Sequence, residues 1–190
     1  MRSCFLSFKY CNMEIYLVRH TETVCEKGVC YGQADVDIQS PYETVFEAIV
    51  KQLPPDFELF SSPLQRCRIL AGFIQKYAAI PQVKHDDRLL EMNFGDWELQ
   101  PWNAIDETVL QPWMADFVSV RVPNGESFLD LHDRVLSFIE TELTHPSQKP
   151  IVIVAHAGVI RSILCAYSNL PLKDAFQNKV DFGQVIRLEI

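Results

Sequence analysis

Two short runs, EIYLV at 14–18 and IVIVA at 151–155, are almost wholly apolar, and polar clusters containing a histidine end both. Successive side chains of a strand point to opposite faces, so a run without alternation must be covered on both sides. A mostly parallel sheet sandwiched between helices meets that condition. The segments between the two runs agree. Residues 41–53 place Val45, Phe46, Ile49, Val50 and Leu53 at helical spacing, and Pro54-Pro55 ends the run. Residues 57–60 read as another strand, broken at Ser61-Ser62-Pro63. The proline suits the first turn of a helix on which Leu64, Cys67, Ala71 and Ile74 share a face. A weaker, edge-like strand follows at 82–85. Ser127 and Asp130 have the spacing of a capping box and open a helix with Leu131, Val135 and Ile139 inward. Val159, Ile160, Ile163, Leu164 and Tyr167 mark one more helical face, and 185–189 a last strand. The expected fold class is α/β, a three-layer α/β/α sandwich with a mostly parallel central sheet.

A chain of 190 residues fits a single domain with a sizeable core. We expect that domain to span 13–190, with a lid-like insertion at about 92–122 lying over the sheet. There the pattern is irregular, Trp97, Trp102 and Trp113 crowd together, and Pro101 and Pro112 interrupt short helices. The first dozen residues, MRSCFLSFKYCN, resemble a signal peptide only at their start: Lys9 cuts the apolar run and no small-residue cleavage site follows. They read as an upstream start or an N-terminal extension outside the fold. No apolar stretch approaches the length of a membrane span, so no membrane partner is expected. The net charge of −8 argues against nucleic acid, and it means that an anionic ligand would need positive charge gathered locally. Six scattered cysteines lack the density of a disulfide scaffold; Cys25 and Cys30 have a loosely metal-like spacing that no second pair completes. Free thiols in a reducing cytoplasm, and no metal site, are the expectation. Nothing in the sequence fixes an oligomeric state.

Ligands of open α/β sheets bind at the carboxyl ends of the strands. Val18 leads into Arg19-His20, Ala155 into His156, and the strand at 57–60 into Ser61, Ser62 and then Arg66. Four basic groups from distant segments of an acidic chain therefore meet on one rim. Their mutual repulsion is offset if an anion binds among them, and the planar fork of arginine suits phosphate oxygens.

In order along the chain, LVRHTET, SSPLQR, RLLEMNFGDWE, NGES and HAGVIR resemble the histidine phosphatase superfamily, with its phosphoglycerate mutase-like fold. The short insertion and GVCYGQADVDI (28–38) look most like the alpha-ribazole phosphatases of cobalamin biosynthesis. The resemblance implies a cofactor-free cytoplasmic phosphomonoesterase acting on a small-molecule phosphate monoester, alpha-ribazole 5'-phosphate first. The alternatives are a phosphoglycerate mutase-like enzyme, a broad-specificity phosphatase, or a catalytically dead phosphate-binding module. It makes His20 the nucleophile and Glu91 the general acid and then base. Arg19, Arg66 and His156 would surround the phosphoryl oxygens, with His156 also counted as catalytic. Asp86, Asp87 and Glu126 compete weakly with Glu91, and Glu98 reads as structural. Thr21, Gly32 and Trp102 are the substrate-binding candidates; the Thr21 hydroxyl adds a donor near the phosphate or packs, and Trp102 stacks on the leaving group or packs the lid. Glu26 and Leu70 depart from the family pattern, the first where a phosphate contact is common, the second as a core change.

Overall fold

A computed structural model describes residues 13–143 and 149–189; the expectations for residues 1–12 lie outside the described residues. Five strands form one sheet in the order β3-β2-β4-β1-β5, where β1 is Glu14–Arg19, β2 Glu58–Ser61, β3 Val83–His85, β4 Ile151–Ala155 and β5 Val185–Glu189. All neighbours are parallel except β5, which runs antiparallel to β1. The alternation of side chains defines two cores. Tyr16, Val18, Leu59, Val152 and Val154 pack under α1 (Glu43–Val50) and α2 (Gln65–Ala78). Ile15, Leu17, Phe60, Ile151, Ile153 and Ala155 pack under α4 (Phe128–Glu142) and α5 (Ala157–Ser168). This is the expected three-layer sandwich, and β4 is buried along its whole length. No helix among the described residues is long and apolar enough to cross a membrane.

The capping box forms as its spacing requires: Asp130 N–H donates to Ser127 Oγ at 3.2 Å and Ser127 N–H to Asp130 Oδ2 at 2.8 Å. Leu131, Val135 and Ile139 are buried beneath it. Some expectations are corrected. Val45 is 44% exposed because α1 spans only 43–50 and its buried stripe narrows to Phe46, Ile49 and Val50. Tyr167 is 42% exposed near the end of α5, where its hydroxyl donates to the Glu189 carbonyl of β5 instead of joining the core. Pro63 precedes Leu64, the N-cap of α2, and so stands outside the first turn. Neither proline of the insertion breaks a helix: Pro101 caps a 3-10 turn at Trp102–Ala104, and Pro112 lies inside α3 (Glu107–Ala115). Packing of Leu110 and Trp113 against the α4/α5 core compensates the N–H that Pro112 lacks. Met92, Trp97, Ile105 and Val122 belong to that same core, which seats the insertion.

Candidate active site

Strand register determines what meets at the carboxyl edge. Arg19 pairs with Ala155, and Val154 with Ser61. The next residues are therefore level: His20 N–H donates to the Ala155 carbonyl and Ser62 N–H to the Val154 carbonyl. His20, His156 and Ser62 follow β1, β4 and β2, and Arg66 lies on the first turn of α2. The two imidazoles sit with ring centroids 5.2 Å apart, edge to face.

His20 is 2% exposed. Its Nδ1 is 2.8 Å from the Thr21 carbonyl, a partner that can only accept, so Nδ1 carries the proton and Nε2 keeps its lone pair. Burial, then the positive charge of Arg66, then that of Arg19, push the His20 pKa down to about 3, which keeps the ring neutral. His156 is wholly buried, and burial with the charge of Arg66 holds its pKa well below the ordinary value. Arg66 Nε–H donates to His156 Nδ1 at 3.2 Å; Nε2 therefore carries the hydrogen and gives it to Ser62 Oγ at 2.8 Å.

Arg66 has no exposed surface, and neutral acceptors hold it. Nη1 donates to the Ala34 carbonyl at 2.8 Å and Nη2 to the Gly32 carbonyl. Those carbonyls are presented by a loop whose N–H groups at Gly32, Gln33 and Ala34 converge on the Glu98 carboxylate at 2.7–3.0 Å, joined by Phe94 N–H at 3.0 Å. Glu98 is thus structural as expected, and its structure serves Arg66. Gly32 is buried, and both its backbone groups are engaged in this cradle of Arg66. A Cβ there would collide with the Met92 carbonyl.

Glu91 accepts from Met92 N–H at 2.9 Å through Oε1 and from Gly158 N–H at 3.0 Å through Oε2. Gly158 lies in the first turn of α5, where the free N–H groups and the helix dipole favour an anion. The Glu91 carbonyl is tied to Arg134 Nη2 at 2.9 Å and Gln33 Nε2 at 3.0 Å. Glu91 stands close enough to Arg19 to counter the downward pull of burial on that guanidinium. The rival carboxylates are engaged elsewhere or turned outward: Asp86 pairs with Arg88 and Glu126 with Arg134, while Asp87 is exposed.

Thr21 is buried with an unpartnered hydroxyl, a donor unused beside His20. Glu26 is exposed and Leu70 lies in the α1/α2 core. The Trp102 ring packs against Phe94, Trp97 and Trp113 and remains partly exposed. Sequence reasoning missed Phe182, whose ring lies against Arg19 and His20, and Arg134, which fixes the Glu91 backbone. No local pattern marks either. The only available signal for Arg134 was its place one helical turn beyond the capping residue Asp130.

The arrangement offers a neutral imidazole nitrogen inside a ring of arginines, with a carboxylate at hand: groups able to accept a phosphoryl group and manage protons. Residues 15–190 match the family described as the histidine phosphatase superfamily (branch 1). The chain is 26% identical to an adenosylcobalamin/alpha-ribazole phosphatase of Salmonella typhimurium, covering 90% of this chain and 87% of that protein. It is 30% identical to a metal-independent phosphoserine phosphatase of Arabidopsis thaliana, over 79% of this chain and 66% of the other. The crystal structure of the alpha-ribazole phosphatase from Shigella flexneri superposes with a TM-score of 0.83 at 26% identity, covering 92% and 89% of the two chains. The chain belongs to the histidine phosphatase superfamily and is a phosphoric monoester hydrolase.

Proposed function

We propose that the protein hydrolyses a small phosphate monoester through a phosphohistidine at His20, and that alpha-ribazole 5'-phosphate is its substrate. The observation that carries the reaction is the neutral, buried His20 ring, with Nδ1–H held by the Thr21 carbonyl, Nε2 unbonded, the charges of Arg66 and Arg19 close by, and Glu91 close to Arg19 in turn. Nε2 attacks phosphorus, the N–P bond forms and the ester P–O bond breaks. For this step Glu91 must carry a proton despite its two N–H partners, and it gives that proton to the leaving alkoxide. The carboxylate so formed then takes a proton from water, whose oxygen attacks phosphorus, and the N–P bond breaks to release phosphate and neutral His20. The phosphorylated ring is cationic, and its Nδ1–H remains on the Thr21 carbonyl. Arg19 and Arg66 would stabilise the spreading negative charge. His156 fixes Arg66 through Nδ1, and its Nε2–H is the donor a phosphoryl oxygen would take over from Ser62.

Similarity to alpha-ribazole phosphatases over nearly the whole chain supports the substrate, and free thiols at Cys25, Cys30, Cys67 and Cys165 fit a cytoplasmic setting. With 4-nitrophenyl phosphate and no added metal, the parent should turn over and leave an acid-labile phosphohistidine on rapid quench, while His20→Ala does neither. Turnover by His20→Ala at the parental rate would refute the mechanism. On a panel of natural esters, kcat/KM should be highest for alpha-ribazole 5'-phosphate; a preference for phosphoserine would reassign the substrate, and phosphoryl transfer between phosphoglycerates would make the protein a mutase.

A further inference from the structure

Among the described residues no carboxylate hydrogen-bonds Arg19, although the charges of Glu91 and Asp181 act on it. Its Nη1 donates to the Val180 carbonyl at 2.7 Å, and its Nε, although buried, has no partner. Against the guanidinium lies the ring of Phe182, with Arg19 Cζ 3.6 Å from the ring centroid. The same ring meets the His20 imidazole at 5.6 Å. Phe182 comes from the turn before β5, and its neighbours grip the same strand end. Gly183 N–H donates to the His20 carbonyl and the Gln184 carbonyl accepts from Arg19 N–H, both at 3.1 Å. Gly183 makes the turn at φ +68°, a conformation suited to glycine, with Val45 and Thr21 packed close by. Phe182 itself is 38% exposed, so core burial explains little of its presence.

An arginine that must bind a phosphoryl group needs its N–H donors and its charge free. A carboxylate partner would take both. An aromatic face attracts the cation through the ring quadrupole and leaves the in-plane N–H groups open. We infer that Phe182 is a positioning residue for Arg19, seating the guanidinium by its ring face so that its donors stay available to the phosphoryl group. The inference rests on the phosphate-binding role of Arg19 proposed above.

Orthophosphate binding, followed by calorimetry, reads this directly; steady-state kinetics with 4-nitrophenyl phosphate accompanies it. Phe182→Leu should weaken orthophosphate binding about five- to tenfold and raise KM by a similar factor, and Phe182→Tyr should recover most of that loss. In an Arg19→Ala background, Phe182→Leu should change nothing further, which a merely structural role would not predict. Parental affinity in Phe182→Leu, an equal loss in Phe182→Tyr, or an undiminished effect in the Arg19→Ala background overturns the inference. Thermal unfolding verifies that each variant is folded, and Phe182→Met replaces the leucine variant if that one is not. Orthophosphate binding to His20→Ala can be measured in the same way, so the Phe182 result stands whether or not the phosphohistidine step does.

Discussion

Gly158 lacks a side chain where Glu91 needs room. A Cβ at that position would fall inside contact distance of Glu91 Oε1 and within 3.2 Å of both Glu91 Cδ and Leu131 Cδ1. The same residue supplies the N–H that holds Oε2. Gly158→Ala is therefore a substitution with opposed effects: alanine favours the helix by about 1 kcal/mol, while the added methyl displaces the proposed acid–base carboxylate. A shift of about 1 Å at a reacting group costs on the order of a hundredfold in rate. We expect kcat for 4-nitrophenyl phosphate to fall by about 30- to 100-fold, with orthophosphate affinity within about threefold of the parent, since Arg19 and Arg66 are untouched. A variant that keeps its kcat would show that Glu91 is not held where the chemistry occurs.

At the level of elements, the 32–34 loop and the 91–98 segment act as one unit joined by Glu98. Four backbone N–H groups converge on its carboxylate, and the carbonyls of the same loop hold Arg66. Glutamine keeps the length but turns an NH2 towards N–H donors, so part of the cluster must open. Glu98→Gln should lower the unfolding free energy by about 2–3 kcal/mol in urea denaturation and raise KM for aryl phosphate as Arg66 loosens. Loss of stability with an unchanged KM would separate the loop from Arg66. The strands that end in Arg19-His20 and His156 were legible because doubly covered strands leave unbroken apolar runs, and Ser127 with Asp130 because a capping box is short-range chemistry. The role of Glu98 was not legible, since its partners are main-chain N–H groups more than sixty residues earlier, along with Phe94 nearby, and carry no side-chain pattern. Phe182 escaped for a related reason: its ring contacts depend on the turn at Gly183, far from Arg19 in sequence. Pro112 misled because tertiary packing seats α3 despite the missing N–H. Val45 and Tyr167 misled because helical spacing alone does not say how wide the buried stripe of a helix is.

For the molecule as a whole, burying two neutral histidines beside arginines ties the site to folding. His20 titrates at about 3 in the folded chain against 6.5 when unfolded, and His156 is depressed in the same direction. Between these limits the unfolded chain binds protons that the folded chain refuses, so stability is full above the unfolded pKa and is lost as pH falls below it. His20 should remove about 2 kcal/mol of stability between pH 7 and pH 5, a window above the ordinary titration of exposed carboxylates, and His156 acts in the same direction. Urea midpoints at those two pH values test this, with His20→Asn as the comparison. The variant should lose only part of the parent's histidine-linked pH dependence, because the His20 ring is gone while the partly buried His132 ring and the buried His156 ring still refuse protons. An unchanged slope would mean that His20 takes up its proton in the folded protein as readily as in the unfolded chain, and a protonated ring hydrogen-bonded to the Thr21 carbonyl has no free lone pair with which to attack phosphorus. The same measurement therefore bears on folding and on the reaction.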